Sequence, residues 1–170
     1  RYLAAAAARG RRPEDRVRVC LVGGFCEQPP VALLRAAELA GCYIVDDDLT
    51  LSNEATAPDP VVSEDVDPIA ALIQSWTATT RPTAVRYDEQ GTAGRLLVER
   101  VRASESDGIL FAAPSFCDPA LLDQPRLTRV LEAAGIPYTA FKYAENSGQF
   151  QAIREQAGTF ADSVKLWGTA

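Results

Sequence analysis

Two short runs constrain the fold of this chain more than any other feature. Val17-Arg18-Val19-Cys20-Leu21-Val22-Gly23 and Gly108-Ile109-Leu110-Phe111-Ala112-Ala113 are apolar almost throughout. Strands buried on both faces of a parallel sheet read this way. Each run leads into a short loop that holds a cysteine, Cys26 after the first and Cys117 after the second. In a parallel α/β sheet, the loops past the carboxyl ends of the strands form the ligand crevice.

The rest of the sequence alternates in the same manner. Pro30–Ala40 has helical spacing and ends at Gly41, and Cys42–Val45 reads as a second strand. The stretch from Asp46 to Asp65 is acidic, carries Pro58 and Pro60, and reads as a loop. Asp67-Pro68 opens a helix to about Thr77, with Asp67 as its N-cap. Arg81 to Asp88 reads as a loop, Thr92–Ser104 as a helix and Asp107–Ala113 as the third strand. Pro119–Ala134 follows as a helix capped by Asp118, then strand Pro137–Phe141 and a last helix from Gln149 to Leu166.

Such alternation predicts parallel β-α-β units with right-handed crossovers. The predicted fold is an α/β three-layer sandwich, flavodoxin/Rossmann-like, with a four-stranded parallel sheet of order 2-1-3-4. The switch point then lies between strands one and three, which makes Cys26 and Cys117 neighbours at one crevice. Residues 1–15 read as the tail of a preceding helix and a linker, and residues 16–170 as the α/β domain. The chain has no Met and opens on Arg1, which points to a piece of a longer polypeptide.

Composition narrows the chemistry. A length of 170 residues, 47% hydrophobic, suits one domain with a full core. A net charge of −6 argues against nucleic acid as a main partner. The basic cluster from Arg9 to Arg18 is broken by Pro13, Glu14 and Asp15 and reads as a solvated connector. No apolar run approaches the ~20 residues of a membrane span. With no histidine, the chain by itself cannot build Ser-His-Asp or Cys-His catalysis or an imidazole zinc site. Four cysteines without a secretory signal point to a reducing cytoplasm, where thiols stay free or bind metal.

Several clusters can carry chemistry, and each has a plainer reading beside it. In Gly23-Gly24-Phe25-Cys26-Glu27-Gln28-Pro29-Pro30, the glycines allow a sharp turn and close backbone approach, and Cys26 stands near a helix start that favours an anion or thiolate. The alternative is a tight structural turn with a buried cysteine. Cys117, in Pro114-Ser115-Phe116-Cys117-Asp118-Pro119, suits a metal ligand or a nucleophile, or is a loop cysteine without a role. Cys20 and Cys42 read as small core residues, and no C-x-x-C pair offers a complete four-thiolate site. Asp46-Asp47-Asp48 can bind a cation or move a proton, or simply cap and hydrate a loop. Lys142, Tyr143 and Glu145, like Arg81 and Arg86, can meet a ligand or lie on the surface.

The same residues resemble a known family. Gly23 to Pro30, Gly41-Cys42-Tyr43-Ile44-Val45-Asp46-Asp47-Asp48, Phe111 to Pro119, Gly135-Ile136-Pro137-Tyr138, Tyr143 to Phe150 and Arg154 to Phe160 are similar to blocks of the benzoyl-CoA reductase and 2-hydroxyacyl-CoA dehydratase D-component family. Ile153-Arg154-Glu155-Gln156-Ala157-Gly158-Thr159-Phe160 departs from the dehydratase pattern and favours the benzoyl-CoA reductase branch, in its B- or C-type subunits. The resemblance implies the C-terminal lobe of a two-lobed subunit. It implies a [4Fe-4S] cluster shared with a missing N-terminal lobe, with Cys117 as the metal ligand. Cys26 is a second candidate for binding the cluster, and Gly24, Phe25, Cys26 and Phe116 become candidate contacts for an aromatic acyl-CoA. Glu27, Asp47 and Glu145 become candidates for proton supply. A homologous partner subunit and an ATP-hydrolysing iron–sulfur activator are implied partners, and the lobe alone should be inactive. Two other readings stand beside this one: a 2-hydroxyacyl-CoA dehydratase component, and a catalytically silent scaffold lobe.

Overall fold

Strands β1 (Val17–Val22), β2 (Cys42–Asp47), β3 (Gly108–Pro114) and β4 (Tyr138–Tyr143) pair in one parallel sheet of order β2-β1-β3-β4. This is the predicted order. The structure, a computed structural model, describes residues 1–9, 14–23, 27–49, 67–79, 91–144 and 150–167. Six helices accompany the sheet among the described residues: α1 (Tyr2–Ala8), α2 (Val31–Leu39), α3 (Pro68–Thr79), α4 (Thr92–Ala103), α5 (Asp118–Ala133) and α6 (Phe150–Trp167). The predicted loops that hold Pro58, Pro60, Arg81 and Arg86 lie outside the described residues.

The alternation of side chains along the strands divides the core into two halves. Val17, Val19 and Leu21 of β1 with Leu110 and Ala112 of β3 face one side, where Leu33 and Ala37 of α2 and Ile153, Ala157 and Phe160 of α6 cover them. Cys20, Val22, Ile109 and Phe111 face the other side, beneath Leu97, Val98 and Val101 of α4 and Leu131 of α5. Helices thus lie on both faces, as a sheet with two apolar faces requires.

Four local readings change. Strand β2 runs on to Asp47, so the acidic run begins as strand. Strand β4 runs on to Tyr143, two residues past its predicted end. Helix α5 begins at Asp118 with Cys117 in the N-cap place, because the Leu121 N–H donates to the Cys117 carbonyl at 3.1 Å. Asp118 is therefore an acid in the first helical turn, favourable to the helix dipole, and not the cap. The fourth concerns the basic segment, which is not all solvated connector. Arg16 Nη1 donates to the Glu38 carbonyl at 2.6 Å, at the end of α2. Arg18 donates through Nε to the Glu105 carbonyl at 2.8 Å and through Nη2 to the Ser104 carbonyl at 2.9 Å, just past α4. Arg18 thus satisfies carbonyls just past a helix end, while Arg16 shares the Glu38 carbonyl with the Gly41 N–H.

Asp67 does act on α3 as predicted, accepting the Ile69 N–H at 3.1 Å. At the lower edge of the sheet, Gly108 leaves no room for a side chain. A Cβ there would stand 2.8 Å from the Pro137 carbonyl oxygen and 2.7 Å from Cζ of Phe160. Gly108→Ala should cost about 1–3 kcal/mol of stability, as overpacking does. A fall in the urea midpoint at unchanged m-value would show it.

Candidate functional site

All four strands run the same way, so their carboxyl ends meet along one edge. Val22 pairs with Phe111, Leu21 with Asp47, and Pro114 with Tyr143. Gly23 at the end of β1, the acidic end of β2, the Cys117 turn and the end of β4 therefore share the crevice edge.

Gly23 is the last described residue before Cys26. Its φ of +114° belongs to the region that favours glycine, and a Cβ there would stand 3.0 Å from the Ala112 carbonyl oxygen. The Gly23 N–H donates to Asp48 Oδ1 at 3.0 Å, and the Asp48 N–H donates to the Leu21 carbonyl at 3.0 Å. Gly24, Phe25 and Cys26 lie outside the described residues, as does Glu145. The chain resumes at Glu27, which is exposed and whose carbonyl accepts the Tyr143 hydroxyl at 2.8 Å. Gln28 Nε2 is buried and has no hydrogen-bond partner among the described residues, a donor in want of an acceptor.

The Cys117 loop is a tight turn. The Cys117 N–H donates to the Pro114 carbonyl at 3.0 Å, and the Ser115 N–H and Oγ–H both donate to the Tyr143 carbonyl, at 2.8 and 3.0 Å. The turn puts the two residues at its tip in opposite places. Phe116 is 93% exposed and Cys117 only 1%. Cys117 carries a free thiol.

Other carboxylates and thiols divide by location. Asp46 Oδ1 accepts the Asp47 N–H at 2.8 Å and faces Arg100 Nη1 at 3.5 Å. Asp47 Oδ1 accepts the Leu49 N–H at 3.0 Å, and Arg100 also donates to the Asp47 carbonyl. Cys20 and Cys42 are buried in the core, as expected. Cys42 opens β2 and so stands at the opposite edge of the sheet from Cys117. Burial pushes the Cys20 thiol from 9.0 up to about 12, helped by the nearby Asp46 carboxylate. Burial likewise pushes Cys42 up to about 11, against the pull of Lys165 and Arg16.

Three residues at this edge were not singled out by sequence for what they do. Arg100 anchors the end of β2, Gln28 offers a buried donor, and Tyr143 is buried at 1% exposure instead of lying on the surface. The alternation of Phe141 and Tyr143 along β4 was the available signal for Tyr143.

A [4Fe-4S] cluster takes four ligands, normally thiolates. Among the described residues no group of three or more Cys, Asp or Glu side chains could hold a metal ion. Cys117 is the one described thiol at the crevice edge. The described residues thus fit one corner of such a cluster and not the whole.

A doubly wound parallel sheet with a thiol-bearing turn at its switch point defines a ligand-crevice lobe of the α/β class. Residues 1–164 match the family model described as 2-hydroxyglutaryl-CoA dehydratase, D-component, and the chain belongs to that family. It is 48% identical over 167 residues to the C-type subunit of benzoyl-CoA reductase from Thauera aromatica, covering 98% of this chain and 43% of that protein. It is 26% identical over 153 residues to the (R)-phenyllactyl-CoA dehydratase beta subunit of Clostridium sporogenes, covering 90% of this chain and 39% of that protein. It is 24% identical over 153 residues to the beta subunit of lactoyl-CoA dehydratase from Anaerotignum propionicum, covering 90% and 40%. The chain spans less than half the length of these relatives. No helix among the described residues is long and apolar enough to cross a membrane.

The core thiols give a pH prediction. Both Cys20 and Cys42 hold their protons more tightly folded than unfolded, so the folded state is favoured fully below about pH 9, the ordinary value. That contribution should fall away as pH rises from 9 towards 11 and 12. Chemical denaturation at stepped pH should show a plateau and then this decline. Iodoacetamide at pH 8 should leave both thiols unmodified until the chain is unfolded.

Proposed function

We propose that this chain is the C-terminal lobe, residues 16–170, of an iron–sulfur subunit of benzoyl-CoA reductase type, with residues 1–15 leading in from a preceding lobe. The observation that carries the reading is the contrast in identity: 48% to the reductase subunit against 26% and 24% to the two dehydratase subunits. The reaction class is dearomatisation of an aromatic acyl-CoA by single electrons of low potential, each electron matched by one proton. An ATP-hydrolysing iron–sulfur activator supplies the electrons, and a homologous partner makes up the rest of the enzyme in the cytoplasm.

In this reading Cys117 is one ligand of a [4Fe-4S] cluster whose remaining ligands come from outside the described residues. When bound, the cluster supplies one-electron transfer at low potential. What the chain itself contributes is a rigid turn for one thiol and an apolar rim. Phe116 at 93% exposure, Val31 at 79% and Leu122 at 78% stand at or near the starts of the turn and helices that leave the crevice edge. Large apolar side chains left open in this way suit burial under a second lobe or an aromatic ring. Gln28 Nε2 supports the same reading, since a buried donor without an acceptor among the described residues suits a face that something else completes. Cys26 is the second thiol candidate, for the cluster or the acyl-CoA. Gly24, Phe25 and Phe116 are the proposed contacts to substrate, and Glu27, Asp47 and Glu145 the proposed sources of protons. Cys26, Gly24, Phe25 and Glu145 enter on sequence alone.

The second reading, a 2-hydroxyacyl-CoA dehydratase component, is favoured by the description of the matching family model. Incubating the assembled enzyme with activator and ATP, and with benzoyl-CoA or a 2-hydroxyacyl-CoA, separates the two. Reduction of the ring is expected, and turnover of the hydroxyacyl thioester alone would favour the dehydratase. For the ligand, Cys117→Ser in the full complex should lower iron content and alter the anaerobic EPR signal. Unchanged iron in that variant would remove Cys117 from the ligand set.

A further inference from the structure

Helix α3 turns its apolar face away from the lobe. Ile69, Leu72, Ile73 and Trp76 recur at the spacing i, i+3, i+4, i+7, which places them within about 100° of one helix face. A stripe of that kind normally faces a core. Here all four side chains are between 57% and 67% exposed. The residue that α3 does bury is Ala71, on the opposite side, with Ser75 half-buried one turn later. The helix thus rests on two small side chains and holds its four largest outward.

Stability, charge and size together decide what covers this stripe. A helix of 12 residues is marginal by itself in water, and tertiary packing of an apolar face supplies most of its stability. Ala71 supplies little of that. None of the 12 residues is charged. Assembly between free proteins draws on complementary charges for rate and register, and this face has none to offer. A helix of this length is ~18 Å long and ~10 Å wide, so the stripe covers on the order of 200 Å². A stable complex of separate chains buries about 800 Å² on each partner. A face this small and this neutral is adequate for a tethered segment, whose effective concentration is on the order of millimolar. The relatives have such a segment to give, since the chain spans only 43%, 39% and 40% of their lengths.

We propose that the apolar stripe of α3 is an intramolecular docking face, packed by an apolar segment of the remaining polypeptide of the same subunit. The proposal rests on the reading of this chain as one lobe of a longer subunit, but not on the cluster or the substrate assigned to it. The experiment uses the full-length wild-type subunit, purified without its partner subunit and diluted until it is monomeric by sedimentation. Hydroxyl-radical footprinting reads the oxidation rates of Ile69, Leu72, Ile73 and Trp76 by peptide mass spectrometry. A synthetic peptide of residues 67–79 gives the rates of the uncovered side chains. No variant is needed, so a failure to fold cannot mimic a result.

Covered side chains at the centre of a packed contact should react at least about fivefold more slowly than in the peptide. That protection should hold on further dilution and should not need the partner subunit. Rates close to those of the peptide, as an open stripe would give, would overturn the proposal. So would protection that appears only when the partner subunit is added, which would make this a contact between subunits. Protection that fades on dilution would instead show a contact between copies, and would equally overturn it. Photo-leucine incorporated in place of leucine identifies the cover. Crosslinks from Leu72 should run, within one polypeptide, to a peptide outside residues 1–170, and crosslinks confined to residues 1–170 would refute the docking. Failure of the cluster reading shows separately, as unchanged iron in Cys117→Ser.

Discussion

The structure depends on the burial of β3. All seven residues from Gly108 to Pro114 are buried, and the strand has a neighbour on each side. A strand with two apolar faces must lie inside its sheet and must be covered twice. That one requirement sets α2 and α6 on one face and α4 and α5 on the other. It also fixes where backbone must approach closely. Gly108 sits against Pro137 and Phe160 at the lower edge, and Gly23 against the Ala112 carbonyl at the upper. Both glycines lack a side chain because β3 or its packing partners fill the space a Cβ would need.

This is why the architecture was legible in the sequence. Uniformly apolar runs of strand length, separated by helical spacing, admit few arrangements, and the order 2-1-3-4 followed from which runs were most apolar. The crevice edge was legible for the same reason, since parallel strands send all their carboxyl ends to one side. The parts that escaped share a different physics. Arg16, Arg18, Arg100 and Tyr143 act by donating to backbone carbonyls remote in sequence. Such bonds leave no periodic trace, because any long polar side chain near a strand or helix can make them. The start of α5 was misplaced by one residue on similar grounds. Asp-Pro is a strong capping signal, yet the turn closed by the Cys117 N–H and the Pro114 carbonyl decides where the helix begins.

The three carboxylates at the end of β2 show how a chemical motif can be given to shape. Oxygens of Asp46, Asp47 and Asp48 accept the N–H groups of Asp47, Leu49 and Gly23 in turn. Arg100 adds a cation beside Asp46 and a donor to the Asp47 carbonyl. Bonds from N–H to a charged acceptor are stronger than neutral ones, and they offset the repulsion of adjacent acids. The same negative charge, added to burial, helps to keep the Cys20 thiol protonated within β1.

The two anchors of the segment after β1 differ in range as well as in kind. Asp48 lies 25 residues from Gly23, one crossover away, and its bond forms with the pairing of β1 and β2. Tyr143 lies 116 residues from Glu27, and its bond joins β4 to the segment after β1 in a sheet where β3 stands between the two strands. Contacts of such separation carry the larger loop-closure cost. The turn at Cys117 depends on the same residue, because its Ser115 bonds end on the Tyr143 carbonyl. The edge strand β4 thus adds Phe141 and Tyr143 to the core and also ties the chain at Glu27 and the turn at Cys117 to one residue.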